Sequence, residues 1–284
     1  MSIIGKNVLL TGAVGGIGKH IAVLIAQNGG NLALIDHPTK QHELEDLKRK
    51  LERYSVTVKL FTGDLVVDTQ VDLIFNNITK EMGPIDIFIS NAATECVGFF
   101  HSQTEEDIVK TFFVNIISPI RFARKMIPMM LRQGGGHFVF ISSYAGKIGL
   151  PFQAIYSASK AGLIKWIIAM RREYQHKGIN FSVITPGYVS DSGMYALLLS
   201  QSGQKLKTPF VAGEVSPRKV AQKVVNAILY NKLDVYVARP YFKLLSIINE
   251  WMPRFITSLL NFTKITQYNE KLAVANKTRK EEPL

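Results

Sequence analysis

The sequence has little of what several common protein classes require. It has one cysteine, Cys96, among 284 residues, which excludes an internal disulfide framework. The six histidines show no paired metal-ligand spacing, and no zinc site is predicted. No stretch reaches the roughly 18 uninterrupted apolar residues of a membrane-spanning helix. The first predicted strand starts within a few residues of Met1, which leaves no room for a signal peptide, so we expect a cytoplasmic protein.

Internal repeats and low-complexity segments are also absent. Hydrophobic residues make up 47% and charged residues 20% of the chain, which is typical of a folded protein. The net charge of +12 invites a test for nucleic acid, but the basic residues are scattered and form no known binding motif, so no nucleic-acid partner is expected. An anionic membrane surface or an anionic substrate, such as an acyl thioester, fits the charge equally well.

Strand and helix patterns alternate along residues 1–238. This alternation predicts a single α/β domain with a doubly wound, mostly parallel sheet between two helix layers, a Rossmann-like arrangement. The length fits that domain plus a C-terminal helical extension over residues 239–284. The predicted strands are residues 7–12, 31–35, 56–61, 85–90, 136–142 and 179–184. The predicted helices are residues 20–27, 41–51, 103–132 and 152–176.

A glycine-rich turn, residues 11–18, lies between the first strand and the first helix. Gly12, Gly16 and Gly18 allow a tight turn and a close approach of the backbone to a diphosphate, and the helix N-terminus adds free N–H groups. The second strand ends at Asp36, 18 positions after Gly18, where a ribose-binding carboxylate is expected. The spacing therefore predicts a dinucleotide site.

Asp36 also bears on the choice of cofactor. Its carboxylate can accept hydrogen bonds from the adenosine ribose hydroxyls of NAD and would repel the 2′-phosphate of NADP. An NADP site favours Arg or Lys within the glycine turn or just after Asp36, where this chain has Gly15 and His37. NAD is therefore predicted, and NADP is disfavoured.

Tyr156 and Lys160 lie four positions apart on a predicted helix and therefore share one face. A phenol has a pKa of about 10, and an ammonium beside it favours the phenolate and lowers that pKa. Ser143 can donate a hydrogen bond to a carbonyl or alcohol oxygen. Together with the dinucleotide site, the three residues predict proton transfer coupled to a redox reaction.

With these motifs placed, residues 5–238 resemble the short-chain dehydrogenase/reductase family. The matching motifs are Thr11-Gly-x-x-x-Gly16-x-Gly18, Asp64-Leu65, Asn91-Ala92-Ala93, Asn115, Ser143, Tyr156-x-x-x-Lys160 and Pro186-Gly187. The resemblance implies that Asn115, Ser143, Tyr156 and Lys160 are catalytic. It implies cofactor contacts at Gly12, Gly16, Ile17, Gly18, Asp36, Asp64, Leu65, Asn91, Ala92, Tyr156, Lys160, Pro186, Gly187 and Val189.

Individual roles also follow from the resemblance. Tyr156 is the general acid/base, Ser143 polarises the substrate oxygen, and Lys160 lowers the tyrosine pKa and holds the nicotinamide ribose. Asn115 kinks its helix and holds a water that links Lys160 to solvent. One departure is Asp191, which stands where the family often has a threonine for the nicotinamide carboxamide.

The implied reaction is hydride transfer between the nicotinamide and a secondary alcohol or ketone carbon. Three segments are expected to shape the substrate pocket: residues 94–100, 147–155 and 188–211. Their apolar residues favour an acyl-, sterol- or retinoid-like substrate and are Phe99, Phe100, Ile148, Leu150, Phe152, Tyr188, Met194, Tyr195, Leu197, Leu198 and Leu199. About half of them are expected to be ordinary core residues.

The C-terminal extension carries apolar residues at helical spacing over residues 239–262, with Trp251, basic residues and a break at Pro253. Two readings stay open. One is an in-plane membrane helix; the other, favoured here, is a lid or dimer helix packed on the protein's own apolar surface. Residues 264–284 are polar, and fraying is expected there.

The remaining alternative is a non-catalytic NAD(H)-binding regulatory or scaffold protein of the same fold. The intact set of Asn115, Ser143, Tyr156 and Lys160 argues against it. The resemblance also implies a homodimer or homotetramer joined through the two long helices.

Overall fold

The computed structural model describes residues 1–190 and 213–281 of the chain. Within those residues, seven parallel strands form one sheet: β1 (Asn7–Thr11), β2 (Asn31–Asp36), β3 (Val58–Thr62), β4 (Ile87–Ser90), β5 (Gly136–Ile141), β6 (Ile179–Pro186) and β9 (Asp234–Val237). Their order across the sheet is β3-β2-β1-β4-β5-β6-β9. Two short strands, β7 (Tyr188–Val189) and β8 (Glu214–Val215), pair in parallel beside the sheet.

Helices cover both faces of the sheet. They are α1 (Gly18–Gln27), α2 (Gln41–Leu51), α3 (Asp68–Met82), α4 (Glu105–Phe112), α5 (Ser118–Arg132), the short α6 (Ala145–Ile148), α7 (Ala154–Tyr174) and α8 (Pro217–Leu229). Three further helices form the C-terminal extension and are α9 (Tyr241–Trp251), α10 (Pro253–Phe262) and α11 (Ile265–Glu281). Among the described residues, no helix is both long and apolar enough to span a membrane.

Side chains of each central strand alternate between two cores because successive residues of a strand point to opposite faces. In β1, Val8 and Leu10 join the core beneath α1, α2 and α8. Leu9, between them, joins the core beneath α3, α5 and α7. The arrangement confirms the predicted doubly wound α/β fold with one helix layer on each face.

Three helices, α3, the short α6 and α8, and the last strand of the sheet lie outside the sequence-based prediction. α3 presents Val71, Ile74 and Ile78 to one core, and α8 packs against α1 on the other side of the sheet. The long predicted helix at residues 103–132 is divided by a π-helical turn at Phe113–Ile117, so α4 and α5 are separate helices. Asn115 lies within that turn.

The extension folds back over the carboxyl ends of the strands. Phe242 of α9 packs edge-on against Tyr144, with ring centroids 4.3 Å apart. Ser246 is buried and bonds the Tyr236 hydroxyl at 2.9 Å. These contacts anchor α9 to the end of the sheet that carries the polar side chains described next.

The fraying expected at residues 264–284 is wrong for the first half of α11. Tyr268, Asn269, Leu272 and Ala273 are all buried, and the Tyr188 hydroxyl donates to Asn269 Oδ1 at 3.1 Å. Tyr268 and Leu272 lie on one helix face, so a segment that is polar on average still buries one stripe.

Candidate active site

One cavity of about 320 Å³ opens at the carboxyl ends of the sheet strands, where open α/β sheets bind ligands. The glycine turn and Asp36 line one end, and the C-terminal extension lines the other. The sequence-predicted residues on its wall are Gly12, Gly16, Ile17, Asp36, Asn91, Ala92, Ser143, Tyr156, Lys160, Pro186, Gly187 and Val189. The fold thus brings most of the predicted site to one place.

The glycine turn is closely packed against the loop after β4. Gly12 has a φ of +64°, and a Cβ there would lie 2.8 Å from the backbone of Ala92. Asn91 Nδ2 donates to the Gly12 carbonyl at 2.8 Å, and the Thr11 hydroxyl accepts from the Asn91 and Ala92 N–H groups at 3.2 Å each. Only glycine tolerates this conformation and this close approach.

Two donors and one carboxylate on this wall fit a dinucleotide. In the described chain, the backbone N–H groups of Gly16 and Ile17 form no hydrogen bond, and they stand at the N-terminus of α1, where a diphosphate binds favourably. Asp36 accepts from Val14 N at 3.0 Å and His37 N at 2.9 Å, which orients its carboxylate on the cavity wall. The residues present therefore fit the diphosphate and ribose of a nicotinamide dinucleotide.

Three predicted cofactor residues lie off the cavity wall. Gly18 is buried, and a Cβ there would overlap the Gly12 carbonyl oxygen, so its part is close packing of α1 against the turn. Asp64 and Leu65 follow β3. Asp64 Oδ1 accepts from Val66 N at 3.0 Å, and its other oxygen lies 3.9 Å from His37 Nε2. Any contact of Asp64 or Leu65 with a cofactor stays a prediction.

Ser143 lies just after the end of β5, and Tyr156 and Lys160 lie one turn apart on α7. All three line the cavity wall. Ser143 forms a side-chain hydrogen bond to Tyr156. The ammonium of Lys160 lies 5.7 Å from the centroid of the Tyr156 ring and donates to the Ile141 carbonyl at 3.0 Å. Tyr156 and Lys160 are both almost fully buried.

Burial is the largest influence on the pKa values of Tyr156 and Lys160. Desolvation raises the pKa of Tyr156, the charge of Glu95 raises it further, and the hydrogen bond from Ser143 lowers it. Desolvation also lowers the pKa of Lys160 to about 8. The ammonium of Lys160 is directed to the Ile141 carbonyl, and its effect on the tyrosine pKa stays a prediction.

Asn115 fixes the loop that follows β4. Its amide donates to the Thr94 carbonyl and accepts from the Thr94 N–H, both at 2.9 Å. It also donates to Ser159 Oγ at 3.0 Å, one residue before Lys160. The predicted helix kink at Asn115 is present as the π-helical turn, which turns the amide toward the loop. The water link to Lys160 stays a prediction.

Glu95 is a charged residue of this site that is not among the predicted site residues, although the predicted pocket segment 94–100 contains it. It lies one position after the residue held by Asn115 and lines the cavity beside Tyr156 and Lys160. Desolvation raises the pKa of Glu95 to about 7, against the opposing effect of the Lys160 charge. A carboxyl group that titrates near neutrality beside a catalytic pair is typical of a functional site.

The end of the cavity away from the glycine turn is apolar, and much of its lining comes from the extension. The lining residues there are Tyr241, Phe242, Leu245, Ile256, Leu259, Leu260, Ile265 and Leu272. Of the predicted pocket residues, Ile148, Leu150 and Tyr188 line the cavity. Phe99 and Phe152 pack with α11, and Phe100 is exposed. Asp191, Met194, Tyr195, Leu197, Leu198 and Leu199 lie outside the described residues.

Known proteins resemble this chain over most of its length. Residues 6–203 match the family described as short chain dehydrogenase. The chain is 31% identical over 274 residues to the ketoacyl reductase HetN of Nostoc sp., covering 95% of this chain and 93% of that protein.

Solved structures give the same fold. A short chain dehydrogenase/reductase from Burkholderia phymatum in complex with NAD has a TM-score of 0.78 at 20% identity, over 90% of this chain and 96% of that one. Actinorhodin polyketide ketoreductase with NADPH has a TM-score of 0.75 at 23% identity, over 82% and 95% respectively.

Proposed function

Because the chain belongs to the short chain dehydrogenase family, we propose that it is an NAD-dependent oxidoreductase that interconverts a secondary alcohol and a ketone on a hydrophobic substrate. The observation that carries the proposal is the composition of the cavity wall. The cavity joins a dinucleotide-fitting cleft, a buried Ser-Tyr-Lys group and an apolar end. The name of the ketoacyl reductase relative supports a keto group on an acyl chain as the reacting function.

The roles of the polar residues follow from their positions. The phenol of Tyr156 exchanges a proton with the substrate oxygen, and Ser143, bonded to that phenol, holds the same oxygen. Lys160, whose ammonium lies 5.7 Å from the centroid of the Tyr156 ring, supplies a nearby positive charge that favours the phenolate, and it would hold the ribose of a bound nicotinamide. When bound, the nicotinamide supplies or accepts the hydride.

At the other end of the cleft, Asp36 receives the adenosine ribose, and the N–H groups of Gly16 and Ile17 receive the diphosphate. The carboxylate favours NAD over NADP. Lys40 is a basic residue that interacts electrostatically with Asp36 and could attract the 2′-phosphate of NADP, but its ammonium is paired with Glu43 at 2.8 Å.

A homodimer or homotetramer through α5 and α7 stays a prediction.

A homologous series of methyl ketones of rising chain length tests the substrate class. Each methylene buried in the apolar end contributes about 0.8 kcal/mol, so kcat/KM should rise by roughly fourfold per carbon until the cavity is filled. The measurement is initial rate with NADH. A matched series that ends in a carboxylate should lose this gain, because the charged end must be desolvated. A flat response of the apolar series would contradict a hydrophobic substrate.

Glu95→Gln should shift the pH profile of alcohol oxidation to lower pH. Above about pH 7, where Glu95 ionises, its negative charge opposes formation of the Tyr156 phenolate. Glutamine removes that charge, so the pKa of Tyr156 falls and the rising limb of kcat/KM moves down by roughly half a unit to one unit. The exposed control Glu250→Gln should keep the wild-type profile. An unchanged pH profile in Glu95→Gln would show that the charge of Glu95 does not affect the pKa of Tyr156.

A further inference from the structure

The outer side of α9 and α10 is a cluster of exposed apolar side chains. We call it the outer apolar face; it consists of Leu244, Ile247, Trp251, Met252, Phe255 and Phe262. With Tyr241, these make seven of the sixteen exposed large hydrophobic side chains of the described residues, all within 22 positions. Trp251 and Phe262 are 84% and 85% exposed. Such clustering marks an interaction surface, whereas single exposed apolar residues do not.

The same two helices are apolar on their inner side as well. Phe242 and Leu245 of α9, with Ile256 and Leu259 of α10, line the cavity. An apolar side of a helix is normally covered, and these helices have two such sides. The inner side faces the cavity and the sheet. The outer apolar face is exposed, so we expect a lipid surface or another protein to cover it.

Charge distinguishes a lipid surface from a second copy of the chain. Residues 241–264 carry three exposed basic side chains, Lys243, Arg254 and Lys264. They carry one exposed acidic side chain, Glu250, so the net charge of the segment is three minus one, or +2. A two-fold dimer through this face would place like charges against each other. An anionic bilayer instead attracts basic residues beside an apolar face, and tryptophan favours the lipid–water interface.

We propose that the outer apolar face docks the protein on an anionic membrane surface, with α9 and α10 lying in the plane of the interface. Trp251, in the last turn of α9 beside Pro253 of α10, enters the boundary between headgroups and acyl chains. The basic residues of both helices contact the headgroups.

Docking also explains why an active-site wall is built from these helices. Their inner side faces the cavity and their outer side faces the lipid, so a hydrophobic substrate passes from the bilayer to the cavity without crossing water. This consequence rests on the proposed function, whereas membrane docking itself requires no turnover.

Co-sedimentation of the full-length protein with vesicles tests the docking. The vesicles are phosphatidylcholine alone and phosphatidylcholine mixed with phosphatidylserine. We expect binding to the anionic vesicles and a loss of roughly tenfold or more in partitioning for Trp251→Ser/Phe255→Ser/Phe262→Ser. A matched variant, Leu73→Ser/Val109→Ser/Tyr230→Ser, also removes three exposed apolar side chains but lies elsewhere, and it should partition like the wild type. Lys243→Gln/Arg254→Gln should weaken only anionic binding, by about fivefold per charge.

Intrinsic fluorescence gives a second readout. The two tryptophans differ, since Trp166 packs against Phe140 with centroids 5.4 Å apart while Trp251 is exposed. Anionic vesicles should shift the emission to shorter wavelength, and Trp251→Phe should abolish that shift while retaining sedimentation.

Equal partitioning of wild type and the face variant would overturn the proposal, as would absence of binding to anionic vesicles. Conversion of a wild-type dimer to a monomer by the face variant, in lipid-free solution, would also overturn it, by assigning the face to a second copy. Activity on the methyl ketone series, measured without vesicles, separates the two proposals. Docking without such activity contradicts the proposed function alone, and activity without docking contradicts the membrane proposal alone.

Discussion

Replacing Tyr156 with phenylalanine is expected to abolish turnover while leaving NADH binding largely intact. The substitution removes the hydroxyl that is hydrogen-bonded to Ser143 and preserves the ring beside the Lys160 ammonium. Proton transfer by a positioned side chain contributes about 10²–10⁴-fold, so kcat should fall by at least that factor. The measurement is steady-state kcat together with NADH titration by fluorescence.

Tyr144→Phe provides a matched control for this variant. Tyr144 lines the same cavity, but its buried hydroxyl has no hydrogen-bond partner among the described residues. Removal of that hydroxyl should leave kcat near the wild-type value. Near-normal turnover in Tyr156→Phe, or an equal loss in both variants, would contradict the assignment of Tyr156 as the acid/base.

Asp36→Asn is expected to reverse much of the preference between NADH and NADPH. The variant loses hydrogen bonds from ribose hydroxyls to a charged acceptor, which are worth about 1.5–3 kcal/mol, so NADH affinity should fall by roughly tenfold or more. NADPH affinity should rise, because repulsion of the 2′-phosphate is relieved and Lys40 lies nearby.

The asparagine retains an oxygen that can accept from Val14 N or His37 N, so the loop beside the glycine turn keeps part of its support. The ratio of the two dissociation constants, measured by titration of one protein preparation, corrects for any general weakening of the cleft. A ratio unchanged from the wild type would show that Asp36 does not select the cofactor.

The sheet and the cofactor cleft could be predicted because their signals are local. The strand at residues 7–12, the glycine turn after it and Asp36 at the end of β2 each follow from spacing within a short stretch of sequence. α3 lies outside the sequence-based prediction although Val71, Ile74 and Ile78 have helical spacing, because polar residues and the exposed Leu73 interrupt the apolar face. The seventh strand, β9, is only four residues long, too short to show a pattern.

The parts of the site that depend on distant segments could not be predicted. Glu95 is desolvated and interacts with Lys160 of α7, and nothing next to it in the sequence indicates that environment. The apolar end of the cavity is built from Leu259, Ile265 and Leu272, which reach it only because the extension folds back. Docking of Tyr268 against Tyr188, 6.0 Å between centroids, joins residues 80 positions apart.

The most direct test of the account is hydride transfer by the full-length protein from NADH to a hydrophobic methyl ketone. Loss of the reduced-nicotinamide absorbance should match formation of the secondary alcohol, and NADH deuterated at C4 on the transferred face should place one deuterium on the carbinol carbon. NADPH should react more slowly than NADH. Tight binding of NADH with no alcohol formed from any apolar ketone would contradict an oxidoreductase and favour a non-catalytic NAD(H)-binding protein of the same fold.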